Sequence, residues 1–164
     1  MNEASNSSDV VIRRCDLLSP VAQELIAALN AELSSMYPEP GATHFRLDPN
    51  EVAAGNGVFL VALRDNEPLG CGALRRIEES SGELKRMYVR PQARGLGIGR
   101  ALLVALETEA RALGLTRLLL ETGTRQLEAL GLYRQSGFAD IPAYGEYVSS
   151  PLSICMAKEL QPAK

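Results

Sequence analysis

Residues 89–103 read VRPQARGLGIGRALL and place Gly95, Gly97 and Gly99 two apart at the threshold of a run of Ala and Leu. Glycine in a helix costs about 1 kcal/mol against alanine, so three of them where a helix begins need another reason. A turn running from a strand into a helix N-terminus directs several unpaired backbone N–H groups outward, where the helix dipole also favours an anion. Phosphate oxygens reach those donors only where no side chain intervenes. Glycine removes the Cβ and permits the positive φ angles that curl such a loop around a phosphate.

The flanking sequence has the periodicities this reading needs. Before the glycines, GELKRMYVR (82–90) reads as a strand. After them, GRALLVALETEARALGL (99–115) carries Leu102, Leu106, Ala110 and Leu113 on one helical stripe, with Glu107 and Arg111 paired on the polar side. RLLLET (117–122) is a short apolar run of the kind buried on both faces of a sheet. LEALGLYRQSGF (127–138) is a second helix closed by Gly137 at C′, and LSICMAKEL (152–160) is a closing strand. Toward the N-terminus, VVIRR (10–14) is a strand; Ser19 and Pro20 then open a helix that repeats Val21, Leu25, Ala28 and Leu29 and stops at Pro38. Residues 39–57 are loop-rich, with one helical turn after Asp48, and 57–78 form two β-rich runs about DNEP, a hairpin signal. No repeat or linker interrupts the pattern, so residues 10–161 are expected to form one mixed α/β domain behind a polar, disordered tail, residues 1–9.

Composition bounds the function. At 164 residues, 46% hydrophobic and 23% charged, the chain suits one soluble globular domain. Its opening, MNEASNSSDV, lacks a basic n-region and an apolar h-region, and no apolar run approaches the roughly eighteen residues of a membrane span. Cys15, Cys71 and Cys155 are scattered along apolar stretches, which suits reduced thiols and a cytoplasmic location. A single His and no paired Cys spacing argue against a zinc or iron site. The net charge of −3 gives no sign of nucleic-acid affinity. Locally the balance reverses: Arg75 to Arg100 holds seven basic and three acidic residues, either a solvated face or the surroundings of a bound anion.

Two familiar phosphate loops fit poorly. A P-loop needs a Lys-Ser or Lys-Thr pair that is absent here. The dinucleotide fingerprint fits at Gly95 and Gly97, with Glu121 at the ribose position, but Arg100 replaces its third glycine. Only 43 residues follow Glu121, too few for the rest of a doubly wound sheet.

From Glu83 to Phe138 the chain resembles the GNAT superfamily of acetyl-CoA-dependent N-acetyltransferases. That family carries R/Q-x-x-G-x-G/A between its fourth strand and third helix, matched by Arg94, Gly95, Leu96, Gly97, Ile98 and Gly99. MYVRPQARG resembles the preceding strand and its Val-x-Pro step. QLEALGLYRQSGF is similar to the later N-x-x-A-x-x-L-Y-x-x-x-G-F element, with Gln126 in place of the usual Asn. The fuller pattern, CGALRR…GELKRMYV…LETG…LYRQSGF…Y, looks most like the bacterial YsnE-like small-molecule branch.

The resemblance implies a mostly antiparallel sheet splayed between strands 4 and 5, helices on both faces, and acetyl-CoA as cosubstrate. The pantetheine arm then lies along Met87, Tyr88 and Val89, the pyrophosphate rests on the amides of Arg94 through Arg100, and Gln126, Ala129 and Tyr133 line the arm from a helix. The acceptor implied is a small-molecule amine, with no nucleic-acid or membrane partner, and homodimers are common in such families. A non-catalytic acyl-CoA sensor on the same fold and a nicotinamide-dependent oxidoreductase are the competing classes.

Transfer from a thioester to an amine needs a neutral amine, an oxyanion donor and a proton for the thiolate. Tyr133 is the candidate acid, and otherwise a core aromatic. Glu83 and Glu121 are candidate bases, and otherwise surface groups or ion-pair partners. Alternation puts Glu83 on one face of its strand with Lys85, Met87 and Val89. His44 is a loop histidine or a substrate contact, and Tyr144 and Tyr147 either close the acceptor site or pack.

Overall fold

A computed structural model describes residues 9–40 and 47–162. Its strands are β1 (Val11–Arg14), β2 (Gly57–Arg64), β3 (Glu67–Arg76), β4 (Ser81–Val89), β5 (Arg117–Gly123), β6 (Ala139–Ile141) and β7 (Ser153–Glu159), and its helices are α1 (Pro20–Met36), α2 (Ile98–Ala112) and α3 (Leu127–Gln135). The strands form one sheet in the order β1-β2-β3-β4-β5-β7-β6, antiparallel throughout except between β4 and β5. This is the mixed α/β, mostly antiparallel sheet that the resemblance implies.

Local chemistry accounts for most of the boundaries. Ser19 accepts a hydrogen bond from the Ala22 amide and Pro20 fills the first helical position. Asp65 and Asn66, both at positive φ, make the β2–β3 turn, so Glu67 and Pro68 belong to β3 instead of the turn. Gly137, at φ +97°, ends α3. Glu107 meets Arg111 at 3.8 Å, yet it is buried and more closely held by Lys158 of β7, at 2.9 Å. The three cysteines carry no disulfide, and Cys71 and Cys155 are buried.

Two apolar clusters sandwich the sheet. On one face α2 and α3 bring Leu102, Leu106, Leu130 and Tyr133 onto Leu60, Leu74, Leu84 and Leu120. On the other, Leu25 and Leu29 of α1 pack on Phe59, Val61, Cys71 and Tyr88. Leu118, Leu119 and Leu120 of β5 are buried on both faces, as their apolar run predicts.

Two irregularities prepare the site. Pairing between β4 and β5 runs from Ser81–Arg117 to Leu84–Leu120 and stops there, so residues 85–89 face β3 alone and the strands part beyond Leu84. Within β4, Arg86 adopts φ +58° where the β3 register slips, a β-bulge. The extra residue inverts the alternation. Leu84, Met87 and Val89 face α2, whereas Tyr88 faces α1 together with Cys71. Glu83 and Lys85 therefore lie on the α1 face, opposite Met87 and Val89, and the strict alternation read from the sequence is corrected by the bulge.

Candidate active site

The gap between β4 and β5 opens into a cleft of about 650 Å³. Met87, Tyr88 and Val89 form one wall, and the glycine turn forms the floor. Gln126, Ala129 and Tyr133 face them from α3, as the three- and four-residue spacing predicts. Arg94, Gly95, Gly97, Ile98, Gly99 and Arg100 complete that end; Leu96, an exposed side chain, does not line the cleft. Sequence reasoning missed the contribution of α1, where Leu29, Glu32 and Met36 supply a wall. Its apolar stripe signals burial but not which neighbour it meets.

The three glycines serve different needs. Gly95 and Gly97 adopt φ +84° and +83°, and a Cβ built on either would meet no protein atom within 4 Å. Conformation, not crowding by the protein, requires glycine there. At Gly99, inside α2, an added Cβ would sit 3.2 Å from Leu132, so this glycine lets α3 approach α2. The first helical hydrogen bond runs from the Ala101 amide to Gly97 O. The amides of Ile98, Gly99 and Arg100 therefore have no acceptor inside the helix, at its positive end. An anionic ligand whose oxygens accept from backbone N–H groups suits this floor.

The basic segment has a different explanation from the bound anion. Arg75 meets Glu51 and Glu83, Lys85 meets Glu146, Arg90 meets Glu24, and Arg94 meets Glu32 at 2.8 Å. Most of the local positive charge is thus neutralised by carboxylates brought from elsewhere in the chain. Arg94 also donates to Val89 O, at 2.8 Å, and lies 5.9 Å above the Tyr88 ring, so it ties the turn to β4 and α1. Arg125 is held similarly: its amide donates to Tyr37 Oη at 2.7 Å, and its side chain binds both oxygens of Glu39, whose pKa falls to about 2 chiefly through that bond.

Tyr133 is buried, and its ring meets Phe138 edge-on with centroids 5.9 Å apart. Burial first, and the Glu121 charge second, raise its pKa well above that of an ordinary phenol. It remains the protonated donor at any physiological pH.

The two carboxylates differ sharply. Glu83 is 0% exposed. One oxygen accepts from Arg75 Nε at 2.8 Å; the other accepts from Tyr144 Oη at 2.6 Å and Tyr147 Oη at 3.1 Å. Burial and the Glu83 charge raise both tyrosines strongly, so each stays a hydroxyl donor. Those tyrosines lie on the segment between β6 and β7 and meet edge-on at 5.3 Å. Glu121 lies one residue beyond the last β4–β5 pair, at the apex of the splay, and accepts from Ser153 Oγ at 2.6 Å. Its charge is felt by both Tyr133 and Tyr147. His44 lies outside the described residues.

Comparison with known proteins agrees with this geometry. A family model described as the acetyltransferase (GNAT) family matches residues 22–138. An IAA acetyltransferase from Azospirillum brasilense is 44% identical over 153 residues, covering 93% of this chain and 99% of its own. A structure from Klebsiella pneumoniae described as an acyl-CoA N-acyltransferase superposes with a TM-score of 0.79 at 34% identity, covering 95% of this chain and 100% of that one. A GNAT family acetyltransferase from Elizabethkingia anophelis, solved with acetyl-CoA bound, shares the fold with a TM-score of 0.65 at 20% identity, covering 92% of this chain and 98% of that one.

Proposed function

The chain belongs to the acetyltransferase (GNAT) family and is an acetyl-CoA-dependent N-acetyltransferase, and from that premise we propose that its acceptor is a primary amine of a small molecule or amino acid, acetylated by direct attack in a ternary complex. Within the family we assign it to the YsnE-like branch, on the sequence pattern from Cys71 to Phe138 and its later tyrosine.

One observation carries the reading. A Cβ built on Gly95 or Gly97 would meet no protein atom within 4 Å, three helix-end amides lie beside that space, and the cleft leads from there to Tyr133 between β4 and α3, with Glu121 one residue past the last β4–β5 pair. These residues fit acetyl-CoA. The amides from Gly95 to Arg100 would hold the pyrophosphate; that of Arg94, included in the sequence-based expectation, already donates to Pro91 O at 3.3 Å. Backbone groups of Met87 and Val89, which have no β5 strand partner, would hold the pantetheine arm as an added strand beside the Arg94 contact to Val89 O, with Tyr88, Gln126 and Ala129 flanking it. When bound, acetyl-CoA supplies the activated acetyl group as a thioester.

The remaining work falls to the chain's own side chains. Glu121 takes the proton from the acceptor's ammonium, directly or through water, and so releases the nucleophilic lone pair. Glu83 is the poorer base, because four donors from Arg75, Tyr144 and Tyr147 already engage its carboxylate. It fixes the segment carrying the two tyrosines beside the acceptor. Tyr133 hydrogen-bonds the sulfur as the C–S bond breaks. A phenol near 10 is already a weaker acid than a thiol near 8.5, by about 1.5 pKa units, and burial widens that gap. Full proton transfer is uphill, so the hydrogen bond is the contribution of Tyr133.

A thiol-release assay across amines, amino acids, antibiotics and IAA, the compound in the relative's name, tests this. Initial rates varied in both substrates should give intersecting lines. Parallel lines would overturn the ternary complex. Acetyl-CoA binding without turnover on any acceptor would leave an acyl-CoA-binding sensor.

A further inference from the structure

On the α1 face of the sheet, Lys85 is a buried cation with open space beside it. Its side chain is 5% exposed and forms part of the wall of a separate polar pocket of about 310 Å³, whose other walls are Glu51, Arg75 and Glu146. Among the described residues the one carboxylate within 4 Å of its Nζ is that of Glu146, at 3.8 Å, beyond hydrogen-bonding distance. An ammonium has three donors, and Nζ can take an acceptor from the pocket. Burial lowers the pKa of Lys85, opposed first by the charge of Glu83 and then by that of Glu146. Arg75, the other cation of the pocket, is already committed to Glu51 and Glu83.

The pocket lies behind the apex of the splay. Lys85 is two residues along β4 from Glu83, Glu83 binds Tyr147, and Tyr147 feels the charge of Glu121. An acceptor whose amine sits at Glu121 would have to pass the buried Tyr147 to reach this pocket. Glu146, 44% exposed, shows that a carboxylate can approach Lys85 from the open side. A substrate carboxylate free to close to hydrogen-bonding distance would outcompete it.

We propose that the pocket binds a carboxylate of the acceptor through Lys85, which makes the acceptor an amino acid, or another amine bearing an acid group, in preference to a simple amine. The proposal rests on the amine-acetylation reading above.

The test is calorimetric binding to CoA-saturated protein of matched pairs: phenylalanine with phenethylamine, tyrosine with tyramine, lysine with cadaverine. The acid-bearing member of the preferred pair should bind roughly 10- to 100-fold more tightly, the usual worth of a charge-assisted hydrogen bond. Lys85→Met should abolish that preference. Glu146→Gln, at a half-exposed position, should enlarge it by removing the competing carboxylate. Equal affinity within every pair, in the native protein and in Glu146→Gln alike, overturns the proposal. Lys85-dependent binding of amino acids with no acetylation of any amine would keep the anchor and overturn the acceptor reading instead. Acetylation of simple amines at the same efficiency as amino acids would do the reverse.

Discussion

Replacing Glu83 by Gln should cost the protein stability more than chemistry. The side chain is 0% exposed, and its carboxylate receives Arg75 on one oxygen and the hydroxyls of Tyr144 and Tyr147 on the other. Glutamine keeps the shape but has one acceptor end. If its oxygen turns toward Arg75, the amide faces two hydroxyls that must reorient to accept from it. The half-buried charge of Arg75 then leans on Glu51 alone. Breaking a buried pair outright costs about 3–5 kcal/mol, and the surviving Glu51 contact places this change near the lower end, about 3 kcal/mol. At about 2–4 °C per kcal/mol for a chain of this size, the melting midpoint should fall by roughly 6–12 °C. Thermal denaturation followed by circular dichroism measures it. Well below the midpoint, KM for the acceptor should rise more than kcat falls, because the tyrosine segment is loosened. Glu121→Gln should behave oppositely: little change in midpoint, and a roughly 10²- to 10⁴-fold loss of kcat near neutral pH that shrinks as rising pH deprotonates the amine. A Glu83→Gln protein with a native midpoint and a kcat loss of that size would refute the reasoning, since Glu83 would then be the base.

Three further outcomes are expected. Tyr133→Phe should lower kcat by roughly 10²- to 10⁴-fold with nearly unchanged acetyl-CoA affinity; a native rate would return the hydroxyl to a packing role. Gly97→Val should abolish coenzyme A binding in calorimetry while the protein still folds, because a Cβ there meets no protein atom yet would fill the cradle and strain a φ of +83°. Tyr88, Tyr133, Tyr144 and Tyr147 all have raised pKa values, chiefly through burial, so above about pH 10 the unfolded chain binds fewer protons than the native one. Their contribution is intact below that pH and lost above it, and melting midpoints that held steady into strong alkali would contradict their burial.

The legible part of this molecule is the part built from neighbours in sequence. A strand, a glycine turn and a helix occur consecutively from Ser81 to Ala112, so periodicity and turn chemistry disclose both the elements and the open floor of the cleft. The same holds for the face of α3, where Gln126, Ala129 and Tyr133 sit at helical spacing. β6 escaped because three residues, mostly exposed and paired only with β7, are too short to show alternation. The charge of the 75–100 segment misled because its partners, Glu24, Glu32, Glu51 and Glu146, lie 24 to 66 residues away along the chain from the bases they meet. A local sum of charges cannot see them.

The acceptor end is nonlocal throughout, and one residue governs how it is assembled. Without the bulge at Arg86, strict alternation would turn Glu83 and Lys85 to the same face as Met87 and Val89, into the apolar layer under α2. With it, β4 presents its apolar residues Leu84, Met87 and Val89 to α2 and its charged residues to the opposite face, where Tyr144, Tyr147 and Arg75 receive them. A non-glycine residue at φ +58° carries backbone strain, and its side chain reaches Asn30 of α1 at 2.6 Å, a contact that helps hold it there. The bulge thus divides one strand into two surfaces, an apolar one beside the cleft and a charged one behind the splay. Periodicity could suggest Glu83 as a site residue but could not place it. Its neighbours became visible only once the extra residue in the strand was counted.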